Sequence, residues 1–307
     1  MAPHSLERSA GPTCILNGAS RHVEAARAHL VRISGEFGLP ARILVTRSGD
    51  ELTSMAARAV NERRQPVVAG GGDGTVNAVA GALAGTDIAL GVLPIGTLNH
   101  FAKDIGVPLN LEAAVRNLFI GQIDKVDVAE VNGRVFVNNS GIGLYPRIVR
   151  QRQEQQRHGH SKAVAFVIAV GAVLRRYSVL HVKMSVDEAE TLDRRTPFLF
   201  VGNNRYEIVG LEIGTRASLH SGRLWVCMAS RTGRRNLVHM VLKAPTGREN
   251  DHELDAFEAE EISVQPRTKR INVSTDGEVS VMEAPLRYRI RPRALGVIVP
   301  TRNGERR

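Results

Sequence analysis

Cysteine is almost missing from this 307-residue sequence, which has only Cys14 and Cys227. Two cysteines cannot build a disulfide framework, and no Cys/His cluster has the spacing of a zinc site. The composition is that of a protein from a reducing compartment. Aromatic residues are scarce too, at 4%. None is interleaved with the basic clusters as base-stacking platforms would be, so nucleic acid is not the expected partner. Long apolar runs are also lacking. The longest, residues 163–174, is twelve residues, short of the roughly 18–20 that span a bilayer. The opening MAPHSLERSAGP has no apolar stretch of a secretory signal, and a cytoplasmic location is expected.

What is abundant is positive charge. There are 41 Lys and Arg against 31 Asp and Glu, a net +10. With nucleic acid disfavoured, a basic surface suits polyphosphate ligands or an anionic membrane. The charge is uneven: residues 141–180 hold seven basic residues and one acid, whereas 249–261 hold seven acids. Such runs are by default solvated faces. Hydrophobic residues, at 43%, suffice for ordinary cores, and the length suggests two domains.

The first 130 residues alternate strand and helix patterns. Apolar runs at 13–17, 41–46, 66–69 and 88–93 read as strands. Between them, Val23, Ala26, Leu30 and Ile33 fall at helical spacing, as do Leu52, Met55, Ala56, Ala59 and Val60. Ser20 and Asp50 are candidate caps for these two helices, and a third helix spans 75–84. Alternation of this kind predicts a parallel, Rossmann-like α/β domain with ligands at the carboxyl ends of its strands. Beyond residue 125 short strands dominate. A hairpin is expected around Asn132-Gly133, one apolar helix over 161–177, and further strands near 180–186, 196–201, 223–229, 262–265 and 270–274. Leu286, Tyr288 and Ile290 alternate with arginines, giving a strand with one wet face. The second half is therefore expected to be an antiparallel β-sandwich.

The chemistry concentrates in Gly70-Gly71-Gly72-Asp73-Gly74-Thr75, between the third strand and its helix. Glycines there permit positive φ and close approach of a ligand to the backbone, and the helix N-terminus favours phosphate. Thr75 could cap the helix. Asp73 would repel phosphate unless a cation such as Mg²⁺ lay between them. A second loop, Pro94-Ile95-Gly96-Thr97-Leu98-Asn99, follows the fourth strand and offers hydroxyl and amide groups to phosphate or ribose. No Walker A sequence occurs, which excludes a P-loop NTPase.

GGGDGTVNAVAGAL followed by LGVLPIGTLNHFAKDIGVP resembles the catalytic domain of the diacylglycerol kinases, a group that includes bacterial lipid kinases and sphingosine kinases. The resemblance extends through VDVAEVNGRVFVNNSGIGLYP to Asp276-Gly277-Glu278 and so touches both halves of the chain. It implies an ATP-binding α/β domain over 1–128, joined again by 294–307, and a β-sandwich lipid-substrate domain over 129–293. Matched position by position, it places Asn17, Thr46, Gly70, Gly71, Gly72, Asp73, Gly74, Thr75, Val76, Gly96, Thr97 and Asn99 at the nucleotide. Asp73 would hold the Mg²⁺–ATP complex. Glu278 would accept the proton of the lipid hydroxyl, with Asp276 supporting it. Apart from the resemblance, the apolar helix over 161–177, framed by the basic residues of 141–180, suits peripheral docking on an anionic membrane, and a homodimer is compatible. The acceptor lipid is left open.

Three departures from the family's pattern stand out. The first loop reads Asn17-Gly18-Ala19-Ser20 where Asn-Pro is usual, and the motif after Asn99 reads His100-Phe101-Ala102-Lys103. Near Gly222, His220 and Ser221 replace the acids that in bacterial relatives contribute to a structural metal site, which puts a structural Mg²⁺ there in doubt. Two rival readings remain. NAD kinase shares GGDGT, but the Asn-Glu pair expected in that family is absent around Asn138-Asn139. A catalytically silent nucleotide- or membrane-binding protein would not need Asp73, Thr97 and Glu278 as a set.

Overall fold

The computed structural model describes residues 11–144, 171, 179–188, 190–209, 212–229, 233 and 254–301. Apart from Gly171, which is helical, the apolar helix expected over 161–177 and its flanking basic residues lie outside the described residues. The chain divides into two compact units, one formed by residues 1–128 with 292–307 and the other by residues 129–291.

The first unit runs β1 (Thr13–Asn17), α1 (Val23–Glu36), β2 (Arg42–Thr46), α2 (Gly49–Asn61), β3 (Val67–Gly71), α3 (Asp73–Leu83), β4 (Leu90–Pro94), α4 (His100–Asp104) and α5 (Leu111–Ile120). The four strands pair in parallel in the order β2-β1-β3-β4. Strands β1, β3 and β4 read as continuous apolar runs because they are buried along almost their whole length. On α2, Leu52, Ala56 and Ala59 are buried, so the apolar stripe seen in the sequence faces the sheet.

The predicted caps are corrected. Helix α2 is capped by Ser48, whose hydroxyl accepts the Glu51 N–H, and Asp50 lies inside the first turn. Helix α1 begins after His22 without a side-chain cap, and Ser20 is used elsewhere. Helix α3 starts after Gly72, two residues earlier than expected, so Thr75 is inside the helix and does not cap it.

From β5 (Gln122–Val131) the chain enters the second unit. Its strands are β6 (Arg134–Phe136), β7 (Asn139–Gly143), β8 (Leu180–Val186), β9 (Glu190–Thr196), β10 (Phe198–Asn203), β11 (Tyr206–Val209), β12 (Glu212–Arg216), β13 (Leu224–Ala229), β14 (Leu254–Ala259), β15 (Glu261–Pro266), β16 (Arg270–Thr275), β17 (Glu278–Glu283) and β18 (Leu286–Val299). One antiparallel layer has the order β14-β13-β10-β7-β16-β17. A second contains β18-β15-β8-β9. Both contribute to a shared core that includes Ile142, Val201, Val226, Val264, Leu286 and Tyr288. Tyr288 is fully buried, meets Phe136 edge to face at 6.3 Å, and places its hydroxyl 3.3 Å from Ser140 Oγ. This mixed α/β unit with an antiparallel sandwich-like unit is the fold class expected from the sequence. The far end of β18 belongs to the first unit, where Val297 lies opposite Leu90 as a parallel neighbour of β4.

Candidate active site

Three loops at the carboxyl ends of β1, β3 and β4 are stitched together. Asn17 Nδ2 donates to Thr75 Oγ1 at 3.3 Å, tying the β1 loop to α3. Ser20 Oγ donates to the Ile95 carbonyl at 2.6 Å, tying the same loop to the one after β4. The Phe101 N–H donates to Asp73 Oδ1 at 3.2 Å, joining α4 to the start of α3. The sequence did not mark Ser20 as a cross-loop tie, since a serine before a helix reads first as a cap.

The glycines serve close packing rather than unusual backbone angles. None of Gly70, Gly71, Gly72, Gly74 and Gly96 has positive φ, which corrects one reason given for them. A Cβ on Gly70 would lie 2.3 Å from the Leu16 side chain, and one on Gly71 would lie 2.2 Å from Thr75 Oγ1. On Gly96 it would fall 2.3 Å from Gly72 Cα, so the second and third loops meet backbone to backbone. Gly72 is different: a Cβ there would come no nearer than 3.5 Å to the protein. Its side-chain direction is open to a ligand.

Burial sorts the remaining residues. Gly72, Asp73, Gly74, Gly96, Asn99 and Asn17 are half-buried and Thr97 is exposed, so these can meet a ligand. Thr75 and Val76 are buried, and they present the ligand with backbone at most. Thr46 is also buried, with its hydroxyl directed to the Leu16 carbonyl, so its side chain serves the β1–β2 pairing. Asn99 sits in the left-handed region at φ 52° and spends its amide on its own loop, accepting from the Gly96 N–H and donating to the Pro94 and Gly96 carbonyls. It shapes the loop that carries Thr97.

The first-turn N–H groups of α3 have no intrahelical acceptors and point out of the helix N-terminus, as an anion site requires. Asp73 adds one carboxylate, with Oδ1 held by Phe101 and Oδ2 without a hydrogen bond among the described residues. Magnesium bound with a polyphosphate typically uses one or two carboxylates, the rest of its shell being phosphate and water. These residues fit that group. No cluster of three or more His, Cys, Asp or Glu suited to a metal occurs among the described residues. The segment around Ser221 does not fit a structural Mg²⁺. Both the Ser221 N–H and its hydroxyl donate to Asn204 Oδ1, at 2.8 and 2.6 Å, and an amide closes the turn where acids would be needed.

In the second unit, Asp276-Gly277 is a two-residue turn between β16 and β17, with φ of 47° and 86° and Thr275 opposite Glu278. The same left-handed pair occurs at Asn132-Gly133. Asp276 does more than turn the chain. Its carboxylate accepts N–H groups from Val137 at 2.8 Å and from Asn138 and Asn139 at 2.9 and 2.8 Å. Burial pushes this carboxyl up to about 6, against the pull of the three N–H groups and the Arg216 guanidinium. Arg216 is buried beside it and donates to the Val137 and Asn203 carbonyls and to Asn138 Oδ1. Glu278 is exposed. Arg134 Nη2 holds its Oε2 at 2.7 Å, and Oε1 makes no hydrogen bond among the described residues. The structure thus brings together the loop residues within the first unit, and Asp276 with Glu278 within the second. Arg134 and Arg216 are additions that no local motif signalled.

A family defined as the diacylglycerol kinase catalytic domain matches residues 13–131, and one defined as the YegS C-terminal NAD kinase beta sandwich-like domain matches 143–299. A probable lipid kinase YegS of Escherichia fergusonii is 31% identical over 298 residues, spanning 91% of this chain and 95% of that protein. The chain belongs to the diacylglycerol kinase family. It is a kinase, and kinase membership implies ATP as the phosphoryl donor. A diacylglycerol kinase of Mycobacterium tuberculosis is 28% identical over 305 residues, covering 97% and 96% of the two chains. A probable lipid kinase YegS-like protein of Cronobacter sakazakii is 37% identical over 155 residues, a match spanning 49% of this chain and about half, 52%, of that one. In fold, the chain is similar to the crystal structure of a diacylglycerol kinase from Bacillus anthracis, with TM-score 0.68 and 20% identity over 94% of this chain and 96% of that one. Among the described residues no helix is long and apolar enough to cross a membrane.

Proposed function

We propose that the protein is an ATP- and Mg²⁺-dependent lipid kinase that phosphorylates the hydroxyl of a lipid such as diacylglycerol at an anionic membrane surface. The observation that carries this reading is the loop cluster of the first unit: an open helix N-terminus, Gly72 without a side chain, and a half-free Asp73 carboxylate, held by Asn17, Ser20 and Phe101. Phosphoryl transfer depends mainly on such positioning and charge neutralisation. When bound, Mg²⁺ supplies charge neutralisation on the phosphates. Gly72, Asp73, Gly74 and Thr97 orient the donor. Glu278 Oε1 accepts the proton as the lipid oxygen bonds to the γ-phosphorus and the bond to the departing ADP oxygen breaks. Arg134 positions Glu278, and Asp276 fixes the turn that carries it.

The test is transfer of labelled phosphate from ATP to a panel of lipid alcohols, with NAD included, by wild type and Glu278→Gln. The reading expects a lipid product, a fall in kcat of about 10²–10⁴-fold in the variant, and nearly unchanged ATP affinity. A kcat within twofold of wild type on the true acceptor would remove Glu278 from the chemistry. Phosphorylation of NAD and of no lipid would overturn the acceptor class.

A further inference from the structure

A cavity of about 400 Å³ lies wholly within the second unit, lined by Leu180, His181, Arg195, Pro266, Arg267 and Thr268 among others. It shares no residue with the loop cluster or with the Asp276 turn. Register explains its charge. His181 of β8 lies directly opposite Arg195 of β9. On the other side of β8, Gln265 lies opposite Lys183 and Pro266 opposite Val182, so the next residue, Arg267, continues toward His181. Three basic side chains therefore form one row across adjacent strands. Arg195 and Arg267 are exposed and β9 is the edge strand of its sheet, so the row faces solvent. Among the described residues its one acidic contact is Asp193, whose Oδ1 lies 2.6 Å from His181 Nε2. Neither Arg195 nor Arg267 has an acidic partner among the described residues.

We propose that this cavity binds a phosphomonoester. Two guanidiniums are forked donors suited to a tetrahedral, doubly charged oxyanion. Thr268 adds a hydroxyl. Leu180 and Pro266 give an apolar wall, and the volume exceeds that of bare phosphate, which leaves room for a short organic group on the ester. The phosphomonoester has two sources: a small soluble ester, or the headgroup of a phosphorylated lipid in a bilayer. The site stands on the second unit alone and does not depend on which alcohol the kinase phosphorylates.

The experiment follows the His181 ring resonances by NMR in the full chain. The probes are glycerol 3-phosphate, vesicles of phosphatidylcholine with phosphatidate, and vesicles of phosphatidylcholine with phosphatidylglycerol, which carries a phosphodiester instead. The comparison is between wild type, the double variant Arg195→Gln/Arg267→Gln, and Lys183→Gln, which removes an exposed cation from the same face. The expected result is a saturable shift of His181 with the soluble ester or with phosphatidate vesicles, whichever is the source. Affinity should weaken at least about tenfold in the double variant and change less than twofold in Lys183→Gln. No saturable shift with either phosphomonoester, an equal response to phosphatidylglycerol, or equal weakening in Lys183→Gln would overturn the proposal, since each marks a merely basic surface. Circular dichroism and the fluorescence of Trp225 establish that the variants are folded.

Discussion

Replacing Asp276 by alanine would leave three backbone N–H groups without their acceptor. Those of Val137 and Asn138 are buried, whereas Asn139 is half-buried and water can reach it. A buried polar group left unpaired costs about 1–3 kcal/mol, so the two buried groups together cost roughly 2–6 kcal/mol. The conservative variant Asp276→Asn would keep one side-chain oxygen for Asn138 and Asn139 and turn an NH₂ toward the Val137 N–H. The Val137 N–H and the new NH₂ then face each other as two unpaired donors, at about 1–3 kcal/mol each. Both variants should be less stable than wild type. A pH dependence accompanies it. Because the native carboxyl is raised from 3.8 to about 6, its stability contribution is fully present below the unfolded value and is lost as pH rises through about 6. Lowering the pH from 7.5 to 5 should widen the gap between wild type and Asp276→Asn by on the order of 1 kcal/mol. Trp225, the single tryptophan, is buried in the second unit and reports its urea unfolding. Loss of less than 1 kcal/mol in Asp276→Ala, or a gap that narrows on acidification, would refute the account of this turn.

Arg134→Gln frees Glu278 from its ion pair. Turnover should fall while the ATP dissociation constant stays within twofold, as steady-state kinetics and calorimetry can establish. Asp73→Asn should lower kcat by about 10²–10³-fold at saturating Mg²⁺, with an unchanged circular dichroism spectrum. Gly96→Ala drives a methyl into Gly72 Cα, so it should lower both Tm and ATP affinity. Gly72→Ala should weaken ATP alone, since its methyl meets no protein atom closer than 3.5 Å.

The first unit was legible because β1, β3 and β4 are buried on both faces and its helices carry one-sided stripes, patterns that the sequence alone displays. The glycine loop was legible as a site, but the use of each glycine was not. Whether a missing Cβ makes room for Leu16, Thr75 or a ligand depends on strands brought together by folding. Strand β9, ETLDRRT, is illegible in the sequence for another reason: it is almost wholly polar and has no apolar alternation. The contacts by which Asp276 holds its turn were not legible, because its three N–H partners are 137 to 139 residues away in the chain. Buried Arg216 was equally hidden, since nothing local marks which arginine will be desolvated.

The order of the strands also sets a schedule for synthesis. The parallel neighbour of β4 is the far end of β18, and residues 129–291 form another unit in between. At about 5–20 residues per second, the nascent first unit waits on the order of ten seconds or more for that strand. Meanwhile the LGVLP edge of β4 has unpaired backbone groups and apolar side chains, which is the kind of edge that recruits foreign strands. Any binder that shields this edge during translation should raise the yield of folded protein without touching the finished enzyme.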